Sequence, residues 1–210
     1  MTGVASVPGR DLPVPASREA LERLEALAAL AVRWTARINL VASSTVPDLW
    51  DRHVVDSAAL WAMAPPDART WADLGAGGGF PGLVVAVLAA DRAGPRVTLI
   101  ESDGRKCAFL RTAARELSLD VGVLDQRVEE AAPQAADVVS ARALAPLPRL
   151  LPLVARHLAP GGTAILPKGR GWEAEVEEAR AAGWSFALEA CASATDPHAR
   201  ILVLRELAHG

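Results

Sequence analysis

A short glycine-rich segment carries the clearest chemistry in this sequence. Residues 71–82 read WADLGAGGGFPG, so Asp73 is followed by glycines at alternate positions, Gly75, Gly77 and Gly79. Glycine lets a chain turn sharply from a strand into a helix, and it lets a ligand press against bare backbone. The segment therefore predicts a loop that holds a nucleotide-like cofactor.

Two cofactor classes and one structural alternative fit this loop. The GxGxxG pattern of dinucleotide-binding proteins is matched by Gly77, Gly79 and Gly82. Counted from Gly75, however, the third position of that pattern is Phe80, which is too large for the close helix–strand packing required there. Asp73 would repel a pyrophosphate, and it suits the cationic, amine-bearing end of S-adenosylmethionine (SAM). A glycine-rich turn with no ligand is the structural alternative.

Residues after the next two predicted strands support a nucleoside-containing ligand. Glu101 ends the second strand, at about the 20-residue spacing from the glycine loop at which a carboxylate accepts hydrogen bonds from a ribose diol. On its own it would equally fit a solvated strand end. Val128 and Glu129 follow the third strand, where an adenine ring would lie, although charged residues are common at helix starts.

Basic residues follow the remaining parallel strands. Arg142 comes directly after the fourth strand, at the edge where open α/β sheets bind their ligands. The same edge receives four more basic residues, which follow strands two and five: Arg105, Lys106, Lys168 and Arg170. Together they predict a positive rim that binds the phosphates of RNA. The alternative is that nearby carboxylates neutralise these charges.

No residue of this sequence is assigned as catalytic. His53 and Asp56 lie three positions apart on a predicted helix and can share one face. Such an isolated pair is more often a structural contact than an acid–base device.

The elements that position these residues are a sheet and its covering helices. From residue 70, short apolar runs alternate with helical patterns, which is typical of a parallel sheet. The predicted strands are residues 70–74, 96–101, 121–124, 136–140, 162–167, 184–191 and 199–207. The predicted helices are residues 17–38, 47–64, 81–90, 103–117, 128–132, 147–157 and 172–182. The last two strands form an antiparallel hairpin, because only a short loop joins them.

This order predicts an α/β fold with a Rossmann-like, seven-stranded, mostly parallel sheet, the architecture of class I SAM-dependent methyltransferases. Residues 67–210 form that domain, residues 17–66 form an N-terminal helical extension, and residues 1–16 form a flexible tail. The tail is assigned because it is rich in proline and poor in large apolar side chains.

Composition excludes several classes of protein. The chain has 210 residues and a formal net charge of −3, so any contact with nucleic acid must use a local patch. Its apolar runs are much shorter than the roughly 20 residues that cross a bilayer, so no membrane association is expected. The two cysteines, Cys107 and Cys191, stand far apart, which argues against a disulfide framework or a zinc site. We expect a cytoplasmic protein without a bound metal.

Several segments together closely resemble the RsmG family, also called GidB, of bacterial small-subunit rRNA methyltransferases. The matching blocks are RHVVDS at residues 52–57, DLGAGGGFPG at 73–82, LIES at 99–102, RVE at 127–129, SARALA at 140–145 and Lys168-Gly169. The resemblance implies SAM-dependent methylation of a guanine N7 in the decoding region of 16S rRNA. It also implies that five residues contact SAM: Gly75, Phe80, Val128, Glu129 and Arg142. Asp73, Gly77 and Glu101 are added from the fold argument.

The implied reaction explains the missing catalytic residue. Guanine N7 has a free lone pair and no proton to remove, so methyl transfer is an in-line displacement governed by positioning. The expected partner is 16S rRNA in the small subunit or in an assembly intermediate, and a monomer is expected. Two alternatives stay open: an NAD-dependent oxidoreductase, although tyrosine is absent, and a SAM-binding assembly factor without turnover.

Overall fold

The computed structural model describes residues 11–210 and contains one seven-stranded sheet. The strands are β1 (Thr70–Leu74), β2 (Arg96–Glu101), β3 (Val121–Asp125), β4 (Ala136–Ala141), β5 (Leu158–Lys168), β6 (Trp184–Ala192) and β7 (Arg200–His209). Their order is β3-β2-β1-β4-β5-β7-β6. Strands β1 to β5 are parallel, and the β6–β7 hairpin pairs antiparallel with β5. The predicted fold class is confirmed.

Helices cover both faces of this sheet. They are α1 (Arg18–Ile38), α2 (Asp56–Met63), α3 (Gly82–Arg92), α4 (Gly104–Glu116), α5 (Leu147–His157) and α6 (Trp172–Ala181). Alternating side chains along β1 point to opposite faces: Trp71 packs among α1 to α4, and Ala72 and Leu74 pack beneath α5 and α6. The chain therefore has two apolar layers, one on each side of the sheet.

Helix α1 follows its sequence pattern closely. The Ser17 hydroxyl accepts a hydrogen bond from the Ala20 amide at 3.1 Å and caps the helix, as its residue type predicts. Leu24 and Leu27 are completely buried, in the same apolar core as the residues of α3. Because the helical extension and the sheet share this core, the boundary between residues 66 and 67 stays a prediction.

The second predicted helix differs from its pattern. Residues Trp50–Val55 form a π-helical segment, and the regular helix α2 begins only at Asp56. The wider turn still buries Trp50 and Val54. A hydrophobic spacing of three and four cannot distinguish the two helix types over so few residues, so the π-helical segment could not be predicted from the pattern.

Two other expectations need correction. Residues 128–132 form a single turn instead of a short helix: the amides of Glu130 and Ala131 both donate to the Arg127 carbonyl. Pro133 follows at once, and it disfavours helical backbone in the residue before it. In the expected tail, residues 1–10 lie outside the described residues. Within residues 11–16, Val14 and Ala16 are buried in the core, and Asp11, Pro13 and Pro15 are exposed.

Among the described residues, no helix is both long and apolar enough to span a membrane.

Candidate active site

The glycine loop between β1 and α3 has the backbone that its sequence requires. Gly75 has φ +67°, a left-handed conformation that side chains disfavour. A Cβ atom at this position would also lie 2.7 Å from Cδ1 of Leu144, in the loop after β4. The missing side chain thus allows two loops from neighbouring strands to approach closely.

Asp73 lies beneath this loop. Its carboxylate accepts hydrogen bonds from the Gly82 amide at 3.0 Å and from the Ser140 hydroxyl at 2.7 Å, and Trp71 Nε1 donates to the same hydroxyl. Asp73 and Ser140 are direct neighbours in the register of β1 and β4. Asp73 is 1% exposed, and burial raises its pKa to about 7. The sequence predicted that Asp73 binds the cofactor. In the structure, the hydrogen bonds of its carboxylate join β1, β4 and α3.

Glu101 fastens the other side of the loop. One carboxylate oxygen accepts the Gly77 amide at 2.8 Å, and the other accepts the amides of Ser102 and Asp103, each at 2.8 Å. The side chain is largely buried but borders the cavity above the loop. A carboxylate has lone pairs beyond those that three amides use, so Glu101 keeps capacity for a ligand hydroxyl.

A cavity of about 400 Å³ lies at the carboxyl ends of β1 to β4. Its lining includes every predicted cofactor residue except Asp73: Gly75, Gly77, Phe80, Glu101, Val128, Glu129 and Arg142. Lys106, which was expected to bind RNA, lines it as well. We refer to this space as the cofactor cavity.

Helix α5 fixes the turn that closes the cofactor cavity after β3. The ring of His157 is fully buried and bonds the Val128 carbonyl through Nε2 at 2.9 Å, while the Arg156 guanidinium donates to the Ala131 carbonyl at 3.0 Å. Burial lowers the pKa of His157, so the neutral ring donates from Nε2. Neither residue could be assigned to the site from the sequence, because their partners lie in another element.

A second cavity of about 470 Å³ adjoins the first. The two share Arg142, Ala143 and Leu144, so the loop after β4 is their common wall. Charged side chains from separate elements line the second cavity: Asp56, Arg142, Lys168, Glu175 and Arg200. We refer to it as the acceptor cavity.

Arg142 stands between the two cavities. Its guanidinium carbon lies 5.8 Å from the centre of the Phe80 ring, and one nitrogen donates to the Arg52 carbonyl at 3.4 Å. Within the described residues it forms no ion pair shorter than 4 Å. Burial lowers its pKa, and the charges of Asp73 and Asp56 oppose that shift. Arg142 therefore keeps donors free for an acidic or carbonyl-bearing ligand.

His53 and Asp56 do not form a pair. The His53 ring packs against Phe80 at 5.2 Å between centroids, and its Nε2 bonds the Thr45 hydroxyl at 3.0 Å. Since Thr45 Oγ1 itself donates to the Ala42 carbonyl, it accepts the Nε2 proton of a neutral His53. Burial lowers the pKa of His53 to about 4, in agreement with that assignment.

Asp56 instead holds the hairpin loop between β6 and β7. Its two carboxylate oxygens accept hydrogen bonds from the hydroxyls of Ser193 at 3.1 Å and Thr195 at 2.7 Å. Asp56 thereby joins the helical extension to the far edge of the sheet, as one wall of the acceptor cavity.

The four residues expected on a basic rim separate into different environments. Arg105 is exposed and pairs with Asp103 at 3.0 Å, and Arg170 is exposed beyond the end of β5. The Lys168 side chain is only 8% exposed and pairs with Glu175 at 2.8 Å. Lys168 therefore does not lie on an exposed rim, because its ammonium pairs with a carboxylate of α6 in a largely buried position.

No group of three or more potential metal-binding side chains (His, Cys, Asp or Glu) occurs in the part of the chain that the structure describes.

Comparisons with known proteins identify the family of this chain. Residues 20–194 match the family model GidB, described as rRNA small subunit methyltransferase G. Proteins named ribosomal RNA small subunit methyltransferase G are 50% identical in Cereibacter sphaeroides strain ATCC 17029 and 52% identical in Paramagnetospirillum magneticum. Each alignment covers 92% of this chain, and 94% and 92% of those proteins respectively.

Solved structures support the fold. The Thermus thermophilus 16S rRNA N2 G1207 methyltransferase, in complex with AdoMet and guanosine, is 20% identical with a TM-score of 0.52. The match covers 71% of this chain and 38% of that one. The mitomycin 7-O-methyltransferase is 15% identical with a TM-score of 0.57, over 90% of this chain and 68% of that one. The architecture is thus that of SAM-dependent methyltransferases, and the sequence matches above show that the chain belongs to the rRNA small subunit methyltransferase G (GidB) family.

Proposed function

We propose that this protein transfers the methyl group of SAM to N7 of a guanine in the decoding region of 16S rRNA. The observation that carries the proposal is the pair of adjoining cavities with a common wall at Arg142, Ala143 and Leu144. One cavity suits a nucleoside cofactor and the other has charged groups for an acceptor base. Membership of the family favours this reaction over an oxidoreductase.

The residues of the cofactor cavity fit SAM. Gly75 and Gly77 line the cavity, the bare backbone of Gly77 leaves room for a ligand, and Glu101 has lone pairs for a ribose diol. Val128 offers an apolar surface for an adenine ring and is held by His157. When bound, SAM supplies a methyl group on a positively charged sulfur.

The acceptor cavity needs to orient a base and not to deprotonate it. Guanine N7 attacks through its own lone pair, so the residues around it contribute alignment and exclusion of water. Arg142 and Arg200 can donate to the oxygen of a guanine, and Asp56 holds the hairpin loop that forms one wall of this cavity. We therefore assign no general base.

The RNA is proposed to reach the cavities in an unpaired segment, because N7 in a regular A-form helix lies in a deep and narrow groove. Arg105, Lys106 and Arg170 stay our predicted phosphate contacts, and the net charge of −3 favours weak binding to naked RNA. The partner is then the small subunit or its assembly intermediate in the cytoplasm. We propose a monomer, since one chain lines both cavities.

The test uses small subunits from a strain that lacks this gene. They are incubated with the protein and tritiated SAM, and labelled bases are mapped by reduction and aniline cleavage. We expect label at one guanine N7 of 16S rRNA, and no label with the Gly75→Leu variant, whose side chain would meet Leu144. If SAM binds and no label appears, the protein is a cofactor-binding assembly factor and the proposed reaction is wrong.

A further inference from the structure

The wall between the two cavities is a loop without regular secondary structure. It runs from Arg142 to Pro146, between β4 and α5. Ala143 has φ +55°, a left-handed conformation that is unusual for alanine, and Leu144 is 37% exposed. Such a loop needs external contacts to hold one conformation, and its position sets the distance between cofactor and acceptor.

Lys168 and Glu175 supply those contacts from two other elements. Lys168, the last residue of β5, donates from Nζ to the Ala145 carbonyl at 2.7 Å. Glu175, in the first turn of α6, accepts the Leu147 amide on Oε2 at 2.7 Å. The same Oε2 lies 2.8 Å from Nζ, so one ion pair grips the backbone on both sides of Pro146.

The start of α5 explains why a distant carboxylate is needed. Its N-cap residue is Pro146, which makes no side-chain hydrogen bond to the free amides of the first turn. Glu175 supplies that acceptor from α6, at the positive end of the helix dipole. Lys168 in turn lies in a largely buried position beside this carboxylate, which balances its charge.

We propose that Lys168 and Glu175 are positioning residues: their ion pair fixes the loop 142–146 and so holds Arg142 between cofactor and acceptor. This inference rests on the proposed function and deepens it. It replaces the sequence-based expectation that Lys168 binds an RNA phosphate, which is the competing interpretation.

The test compares Glu175→Ala and Lys168→Met with two control variants, Glu177→Ala on the exposed side of α6 and Arg170→Ala beyond β5. Three quantities are measured on the full chain: hydrogen exchange of peptide 141–150, the Kd of SAM, and kcat and KM for small subunits. The first two need no RNA, so they report on the loop even if the wild-type protein methylates nothing.

We expect Glu175→Ala and Lys168→Met to speed exchange in the peptide about tenfold and to lower kcat about tenfold, with KM for subunits within twofold. The double variant should have a kcat no lower than that of the poorer single variant, because both substitutions disrupt the same ion pair. Lys168→Arg and Glu175→Gln should recover part of the activity, since each keeps a hydrogen bond to the loop. Both controls should leave exchange and SAM affinity unchanged.

The competing interpretation gives a different pattern. If Lys168 binds phosphate, Lys168→Met raises KM for subunits and reduces the salt dependence of binding, and exchange in peptide 141–150 stays at the wild-type rate. That result would overturn the proposal. Should Glu175→Ala fail to fold, Lys168→Met carries the comparison alone, because it removes both the ion pair and the hydrogen bond to the Ala145 carbonyl.

Discussion

The cofactor cavity and the acceptor cavity lie side by side but are held together differently. Around the cofactor cavity the carboxylates bind backbone amides: Asp73 accepts from Gly82, and Glu101 accepts from Gly77. Around the acceptor cavity they also bind side chains: Asp56 accepts from the hydroxyls of Ser193 and Thr195, and Glu175 pairs with Lys168 in addition to accepting the Leu147 amide. The first site depends mainly on backbone geometry and the second mainly on side-chain chemistry.

We call the residues around the two cavities the cofactor half and the acceptor half of the site. The difference between them predicts which substitutions each half tolerates. A loop packed through its bare backbone is disrupted when a Cβ atom is added to a glycine. A site held by side chains is disrupted when a functional group is removed.

The largest effect should come from a methyl group at Gly82. A Cβ atom there would lie 2.3 Å from Leu99 Cδ2 and 2.7 Å from Asp73 Oδ2. We expect Gly82→Ala to lower the free energy of unfolding by about 3 kcal/mol, measured by urea denaturation. Gly104 is the matched control: it also begins a helix after a strand, and its nearest neighbour would be 3.9 Å from the new Cβ. Equal losses of unfolding free energy in both variants would contradict the interpretation that close packing against the bare backbone stabilises this loop.

Arg142 belongs to both halves, so its removal should affect both ligands. Arg142→Ala deletes a largely unpaired cation from the common wall, and we expect kcat/KM for small subunits to fall about 100-fold. The Kd of SAM, measured by calorimetry, should rise as well. Arg111→Ala is the control, because Arg111 is half-exposed and pairs with Asp125 at 3.5 Å. A change in KM for subunits alone would place Arg142 in the acceptor half only.

Substitution of Asp73 tests the buried side of the cofactor half through the pH dependence of stability. Its pKa is about 7 in the fold and near 3.8 in the unfolded chain, so between these values the folded state holds the extra proton. Stability from this group is therefore complete below about pH 4 and is lost as the pH rises through 7. Asp73→Asn should reduce the loss of stability between pH 5 and pH 8 by about 2 kcal/mol.

Asp137 provides a control of opposite sign for that experiment. The Arg69 amide and the groups of Thr70 bond its carboxylate and lower its pKa, so its contribution is lost as the pH falls. Urea unfolding of Asp137→Asn should show a smaller loss of stability toward acid. If Asp73→Asn showed that same pattern, the assigned pKa direction of Asp73 would be wrong.

The smallest effect concerns Asp56 in the acceptor half. We expect Asp56→Ala to lower kcat/KM for small subunits about tenfold by freeing the hairpin loop, with the Kd of SAM within twofold. A Ser193→Ala/Thr195→Val variant should reproduce this loss, because it removes the same hydrogen bonds. If Asp56→Ala is far more damaging than the double variant, Asp56 contacts the acceptor directly.

The sequence predicted most of the residues that line the cofactor cavity, because their positions follow from local patterns. The bounds of β1, β2 and α5 agree with the observed ones, since turn residues flank each apolar run. The glycine loop and the ends of these strands then place the predicted residues around one cavity. Asp73 is the exception, because a strand pattern does not tell on which side of the loop its last acidic side chain lies.

The acceptor half was decided by tertiary contacts. Asp56 and Ser193 are 137 positions apart, and Leu147 and Glu175 are 28 apart, so no local pattern links them. Lys168 shows the consequence: its position after a parallel strand predicted a phosphate contact, whereas in the structure its largely buried ammonium pairs with Glu175 of α6.

By itself, then, the sequence determined the sheet, the glycine loop and the cofactor class, because hydrophobic periodicity and glycine backbone freedom act between near neighbours in the chain. Only the tertiary structure decided which charges face the two cavities and which neutralise each other. Burial and pairing depend on which distant residues lie within a few ångströms of a charged group, and no short segment of the sequence specifies those contacts.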